Sequence, residues 1–279
     1  HPPKNVILPQ EKMNICKQEG AEINFDKIYE QAETKIIFGA RGCDIQGIDY
    51  LDEVFNGNAH EDIFYKARRD KTTIIANACY HPGASCFCTS MGGNPTDADS
   101  ADVIIRDVGK EGYVWESKNE KGQALTVRIA DLLEEKEVQL PELLPFSRNV
   151  DYVGVAEKLK DMFDHPLWEK YSEPCKTCGV CIYSCPVCYC YDIQVGKWND
   201  EGYHFHCFDS CIYRKNVMDS EKNPRQAAME RFRNRFIHKL QFYPERYGKP
   251  LCTGCGRCIV VCPSGASIAT IITEIKGND

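Results

Sequence analysis

Cysteine recurs at one spacing in two places. Cys175, Cys178, Cys181 and Cys185 are followed by Pro186, and Cys252, Cys255, Cys258 and Cys262 by Pro263. Thiolate is a soft ligand, and the run C-x2-C-x2-C-x3-C-P is the spacing with which bacterial ferredoxins hold four-iron cubes. One copy would be compatible with zinc or with chance. Two copies with identical spacing, each closed by proline, point to two [4Fe-4S] clusters and so to one-electron transfer. Zinc ribbons, the rival chemistry, use separated C-x2-C pairs rather than a four-cysteine run.

The spacing also says which thiol serves which cube. Three thiolates two residues apart can wrap one face of a cube in a single tight loop. The fourth is expected to begin a helix and point away, so that in two-cluster proteins it ligates the other cube. This assigns Cys175, Cys178, Cys181 and Cys262 to one cluster, and Cys185, Cys252, Cys255 and Cys258 to the other. Pro186 and Pro263 turn the chain aside, and Gly179 and Gly256 let backbone pass close to sulfur.

The elements that must position these loops divide the 279 residues into two expected domains. Twelve of the 17 cysteines fall between 175 and 262, and residues 1–165 read differently. There, apolar runs at 35–39, 72–76, 102–106 and 113–116 read as strands, with an amphipathic helix through Ile48, Leu51, Val54 and Phe55 after the first. A turn at Gly109–Gly112 joins the last two strands. Helices are expected at Ala130–Val138 and Val153–Phe163, with Pro166 as the boundary. The order predicts an α/β layer. Residues 166–279 are expected to form a helical dicluster ferredoxin-type domain rather than a β-hairpin one. The 66 residues between Cys185 and Cys252 hold a helical pattern, Pro224–Gln241, with Asn223 as its cap, and Ile268, Ile271, Ile272 and Ile275 repeat at helical spacing.

Composition excludes other classes. Net charge is −7, against the basic balance of a nucleic-acid-binding protein. The one basic cluster, Arg231, Arg233, Arg235 and Lys239, reads either as a solvated or ion-paired helix face or as a docking patch for an acidic partner. No apolar run is long enough to span a membrane, and no signal peptide is read. The chain starts at His1, so its natural N-terminus is expected to lie further upstream. Clustered rather than evenly spread cysteine argues for metal binding in a reducing, cytoplasmic compartment and against a secreted disulfide scaffold. Oxygen-sensitive clusters further suggest an anaerobic host. No dinucleotide, P-loop or nucleophile-elbow signature is present.

Nine cysteines lie outside the paired runs. Cys16 stands alone and reads as an inert thiol; the other eight are open to two readings. Cys43 and Cys79 each follow an expected strand, at the carboxyl edge where α/β folds bind ligands, and Cys86 and Cys88 flank Phe87 so that both point one way. These four can converge on a third cluster, or be ordinary buried cysteine. Cys188, Cys190, Cys207 and Cys211 are candidates for a further metal site, or for shielding and tuning of the neighbouring cluster.

The chain resembles the iron–sulfur protein family shared by sulfhydrogenases, as their beta subunit, and by anaerobic sulfite reductases. The resemblance runs from about residue 35 onward, through Ile36–Ile45, Cys79 with Cys86–Cys88, His165–Trp168, Cys185–Tyr191, Asp209–Cys211 and Cys252–Cys258. It implies a third [4Fe-4S] cluster at Cys43, Cys79, Cys86 and Cys88. It also implies a role within a hetero-oligomer, passing electrons from a flavin-containing NAD(P)H oxidoreductase subunit to a catalytic or acceptor subunit, or back. Hydrogenase, sulfite reductase and heterodisulfide-reductase-like complexes all fit. The chain departs from the family in lacking most of its N-terminal segment, in Cys207, and in Val217–Asn223, which replaces a glycine- and histidine-rich stretch. Two other classes compete with a relay: a catalytic reductase using an exposed cluster or bound flavin, and a clusterless or zinc-binding scaffold.

Overall fold

The computed structural model describes residues 2–19, 22–25, 28–57, 61–198, 201–213 and 224–277, with the backbone alone at 14–19, 22–25, 28 and 198. Eight strands are seen among them: β1 Glu11–Glu19, β2 Glu22–Phe25, β3 Lys35–Arg41, β4 Thr72–Asn77, β5 Val103–Asp107, β6 Tyr113–Ser117, β7 Tyr191–Trp198 and β8 Glu201–Phe208. They form two four-stranded sheets, ordered β3-β4-β5-β6 and β2-β1-β8-β7.

The first sheet is the expected α/β layer. β3, β4 and β5 run parallel, and β6 returns antiparallel through the 3-10 turn Gly109–Glu111. The helix Gly42–Phe55 crosses over from β3 and buries Ile45, Ile48, Leu51 and Phe55 against Ile37, Ile74 and Ile104. These are the positions that a 3.6-residue period brings to one face. A second helix, Ile63–Asp70, starts where the Asp62 carboxylate accepts from the backbone N–H groups of Phe64 and Tyr65.

Several expectations need correction. The helix after β6 is Glu120–Arg128, not Ala130–Val138; Asn119 caps it by accepting from the Gly122 N–H, and only a 3-10 turn at Ala130–Leu132 follows. The later helix is shorter than expected, Val155–Leu159. The C-terminal part is not all helical. β7 and β8 form an antiparallel hairpin between the two cysteine runs, and β8 pairs with β1, Glu11 facing His206. The second sheet is therefore built from both sides of the boundary expected at residue 165. Apolar Tyr191, Ile193 and Val195 alternating with polar neighbours are the period-two signal for this hairpin.

The helix between the runs begins at Ala228 rather than Pro224, with Glu230 accepting from the Ala227 N–H; Asn223 lies outside the described residues. It ends at Ile237 and continues through a π-turn, His238–Phe242. Phe232, Phe236, Ile237 and Leu240 pack with Trp168 and with Ile268, Ile271, Ile272 and Ile275 of the last helix, Ile268–Gly277. Phe87 and Met91, from the segment after β4, sit in the same core.

Candidate metal centres

The two cysteine runs share one backbone shape. In the first, Thr177 (φ 50°) and Gly179 (φ 71°) are left-handed; in the second, Gly254 (φ 60°) and Gly256 (φ 71°) take the same places. Each loop then enters a single helical turn, Val180–Tyr183 or Arg257–Val260, which carries the third cysteine. The spacing alone places the fourth cysteine at the start of a helix, but Cys185 and Cys262 stand just past these turns. The left-handed glycine starts the helix early, before the third thiol.

Thiols of the two runs lie beside one another. Cys262 lines one cavity with Cys175, Cys178, Cys181 and Cys258. Burial raises the Cys175 thiol above its ordinary range, with Cys181 and Cys262 among the charges that add to it. Cys185 is buried and faces the other loop. Cys255 is pushed up to about 12, first by burial and next by Cys185. Cys252 is likewise pushed up to about 12 by burial, which Lys239 opposes and Cys258 and Cys185 reinforce. Among the described residues no three of His, Cys, Asp and Glu converge as ligands of one ion would. A cube carries its thiolates on separate irons, so its ligands surround a volume rather than meet at a point.

The basic cluster gives the test of fit. Neither a solvated face nor a docking patch survives, because Arg231, Arg233, Arg235 and Lys239 are all buried. Arg231 donates to the carbonyls of Ile212, Arg225 and Gln226, and Arg233 pairs with Asp164. The other two point inward. Lys239 Nζ lies 3.4 Å from Cys185 Sγ and donates to the Leu251 carbonyl. Arg235, 4 % exposed, leaves Nε and Nη2 without a hydrogen-bond partner, and the thiols nearest in charge are Cys181, Cys258, Cys188 and Cys185. A buried guanidinium with orphaned donors is costly unless anions sit beside it. Two iron–sulfur cubes with their thiolates supply that negative charge, so the residues present fit the group.

Of the N-terminal cysteines, Cys43 and Cys86 lie beside the second loop. Cys88 is pushed up to about 11, first by burial and then by Cys86 and Cys79. Cys43, in the first turn of its helix, is raised by burial and faces Asp44, Cys255 and Cys88. Cys86 Sγ lies 3.7 Å from the Cys255 carbonyl, and the Phe87 N–H donates to the Gly254 carbonyl at 2.8 Å. Between the two sets, Arg257 meets Asp44, Nη2 to Oδ2 at 2.8 Å and Nη1 to Oδ1 at 2.6 Å. A groove of about 660 Å3, lined by Ala84, Cys86, Cys255 and Val260, opens beside them.

The last four candidates split. Cys190 and Cys211 share a side-chain hydrogen bond, which pulls the Cys190 thiol down and pushes Cys211 up. Cys188 bonds to Cys185 in the same way. Cys207 stands apart on β8, raised by burial and by Asp192 and Asp209, with no thiol among its causes. Cys16 lies on β1, outside the described side chains. Sequence reasoning misses Lys4. It is 3 % exposed, and its Nζ donates to the carbonyls of Ile182 and Cys188. No sequence pattern marks it, because the contact joins residues 184 apart.

No helix among the described residues is long and apolar enough to cross a membrane. The family described as a 4Fe-4S dicluster domain matches residues 174–266, which hold both cysteine runs. Over 290 aligned positions the chain is 29% identical to the sulfhydrogenase 2 subunit beta of Pyrococcus furiosus, covering 99% of this chain and 82% of the relative. No solved structure matches the chain. The paired cysteine runs, the dicluster match and a likeness that extends over almost the whole length agree: the chain is an iron–sulfur electron-transfer protein with a 4Fe-4S dicluster domain, similar over nearly all of its length to a sulfhydrogenase beta subunit.

Proposed function

We propose that the chain is a non-catalytic relay carrying three [4Fe-4S] clusters. Cys175, Cys178, Cys181 and Cys262 hold the first, Cys185, Cys252, Cys255 and Cys258 the second, and Cys43, Cys79, Cys86 and Cys88 the third. Bound there, each cube takes up and releases single electrons. The chain's own part is to fix their order and to set their potentials with buried charge. The observation that carries this reading is the seam between residues 85–88 and 254–256. A Cβ on Gly254 would stand 2.5 Å from the Phe87 carbonyl oxygen, and one on Gly256 would stand 2.3 Å from that of Ser85. Backbone touches backbone there, so the third centre adjoins the second, and the second adjoins the first.

A relay needs a donor and an acceptor. A flavin-containing NAD(P)H subunit would split a hydride into single electrons, and a catalytic or acceptor subunit would use them, in a cytoplasmic hetero-oligomer. The relative's name, that of a sulfhydrogenase subunit, supports the multi-subunit setting. The purified chain should be reduced by dithionite yet stay oxidised with NADH or NADPH, and adding the flavin subunit should restore reduction. Rapid bleaching by NADPH in a single-subunit preparation would overturn the relay. It would favour catalysis in this chain itself, for which a pocket of about 570 Å3 stands at the carboxyl edge of the parallel strands, lined by Arg41, Asn77, Cys79, His81 and Asp107.

A further inference from the structure

Cys188, Cys190 and Cys211 have no part in the three centres above, yet the fold gathers them. Cys188 and Cys190 leave the first cysteine run and lead into β7; Cys211 follows β8. The Asp209 N–H donates to the Cys190 carbonyl at 3.0 Å, which extends the hairpin ladder by one rung and brings Cys211 back to Cys190. The two thiols share a hydrogen bond, and Cys188 is among the charges that face Cys211. Cys188 packs in one buried cluster with Cys185, Ile182, Ile212 and Tyr243, and Cys211 borders it.

A cation has been brought to this place from the far end of the chain. Lys4 sits in the first helical turn, Lys4–Ile7, and is buried there. Its hydrogen-bond acceptors among the described residues are the neutral carbonyls of Ile182 and Cys188. The thiols whose charge it meets are Cys188, Cys185 and Cys190, and the other charge beside it is the like-charged Lys239. Two buried ammonium groups near three thiols that remain protonated would be uncompensated, and burying them so would be expensive. The second cluster can answer Lys239, which touches Cys185 directly. Lys4 lies instead on the Cys188 side.

We propose that Cys188, Cys190 and Cys211 hold a further iron–sulfur centre, a fourth in this chain, with Lys4 as its counter-charge and with Cys207 outside it. Three protein thiols suit a cube whose fourth iron takes an exogenous ligand. Assembly from two ferrous ions, two ferric ions and four hydrogen sulfide ions would need no further oxidant and would release seven protons, one from each of the three thiols and one from each hydrogen sulfide, as the iron–sulfur bonds form. The hydrogen bond between Cys190 and Cys211 is replaced by two bonds to iron.

The test uses the full chain, reconstituted without oxygen from ferrous and ferric iron and sulfide. Wild type is compared with the double variant Cys190→Ser/Cys211→Ser, with Cys207→Ser, and with Lys4→Gln. The double variant should hold about four irons and four labile sulfides fewer than wild type, with the electron paramagnetic resonance signals of the two motif clusters unchanged. Cys207→Ser should hold as many as wild type. Lys4→Gln, which keeps every thiol, should lower the occupancy or shift the potential of that same signal alone. Equal iron in wild type and double variant would overturn the proposal. So would loss of the second motif cluster's signal in the double variant, since the thiols would then only support that cluster. Failure of the relay reading itself would appear differently, as missing motif signals in wild type.

Discussion

The two cysteine loops have the same spacing and the same left-handed positions but keep different company. Around the first loop lie solvent and a tyrosine. Cys178 is exposed, and the close neighbour of Gly179 is the ring of Tyr213. Around the second loop lies the backbone of residues 85–88. The third position of the loop records the difference. It is left-handed in both, yet the first loop puts threonine there and the second puts glycine. Thr177 has room for its side chain. Gly254 does not, since a Cβ would also come within 2.6 Å of Cys88 Cα. One loop thus presents a cluster site outward and the other presents it inward, which gives the proposed relay an exposed end and an internal one.

The largest expected effect breaks the symmetry of the loops outright. Cys185→Ala should remove about four irons and the signal of the centre on the 252–258 loop, while Cys262→Ala should remove those of the centre on the 175–181 loop. Iron analysis with electron paramagnetic resonance on each variant reads this. Damage confined to each variant's own loop would refute the crossed assignment.

Next comes the seam. Gly254→Ala forces a methyl into backbone that cannot yield, so the loops at 85–88 and 252–256 must separate. A loss of about 2–4 kcal/mol of stability is expected. Reduction of the third centre through the second should also slow, as followed by stopped-flow absorbance. Wild-type rates and melting in Gly254→Ala would mean that the seam is not tight.

The smallest effect sharpens the comparison from the other side. Thr177 is β-branched and left-handed, an outlier conformation. Thr177→Gly should therefore stabilise the chain by about 1 kcal/mol, seen as a raised midpoint in anaerobic urea unfolding, with iron content unchanged.

Much of the molecule is legible from sequence, for local reasons. The parallel strands and the helix Gly42–Phe55 follow from periodicity within each segment. The cluster loops follow from ligand spacing, which a short loop must satisfy by itself. What escapes is non-local. The pattern at Arg231, Arg233, Arg235 and Lys239 looks like a polar helix face, because charge normally marks solvent. Here Arg235 and Lys239 turn toward thiols supplied by other segments, and no reading of the helix alone can find them. The hairpin β7–β8 escapes for a different reason. Its alternation is visible, but the helical stretch after Pro224 dominates the same interval. Grouping Cys188, Cys190, Cys207 and Cys211 by closeness in sequence overlooks the strand, since a residue on β8 points to one face and the residue past the strand end need not share it.

The pairing of β1 with β8 also sets a timetable. Glu11 waits for His206, so at ordinary synthesis rates of about 5–20 residues per second the N-terminal strand spends roughly ten to forty seconds without its partner. Lys4 waits almost as long for Cys188. The first cysteine run leaves the ribosome before the second exists, so neither of the proposed crossed sets of thiols can close until the second run has been made. Such long-range closure makes folding slow. The maturing chain must be kept both reduced and unaggregated through that interval, and metal loading is a late event rather than a nucleus for folding.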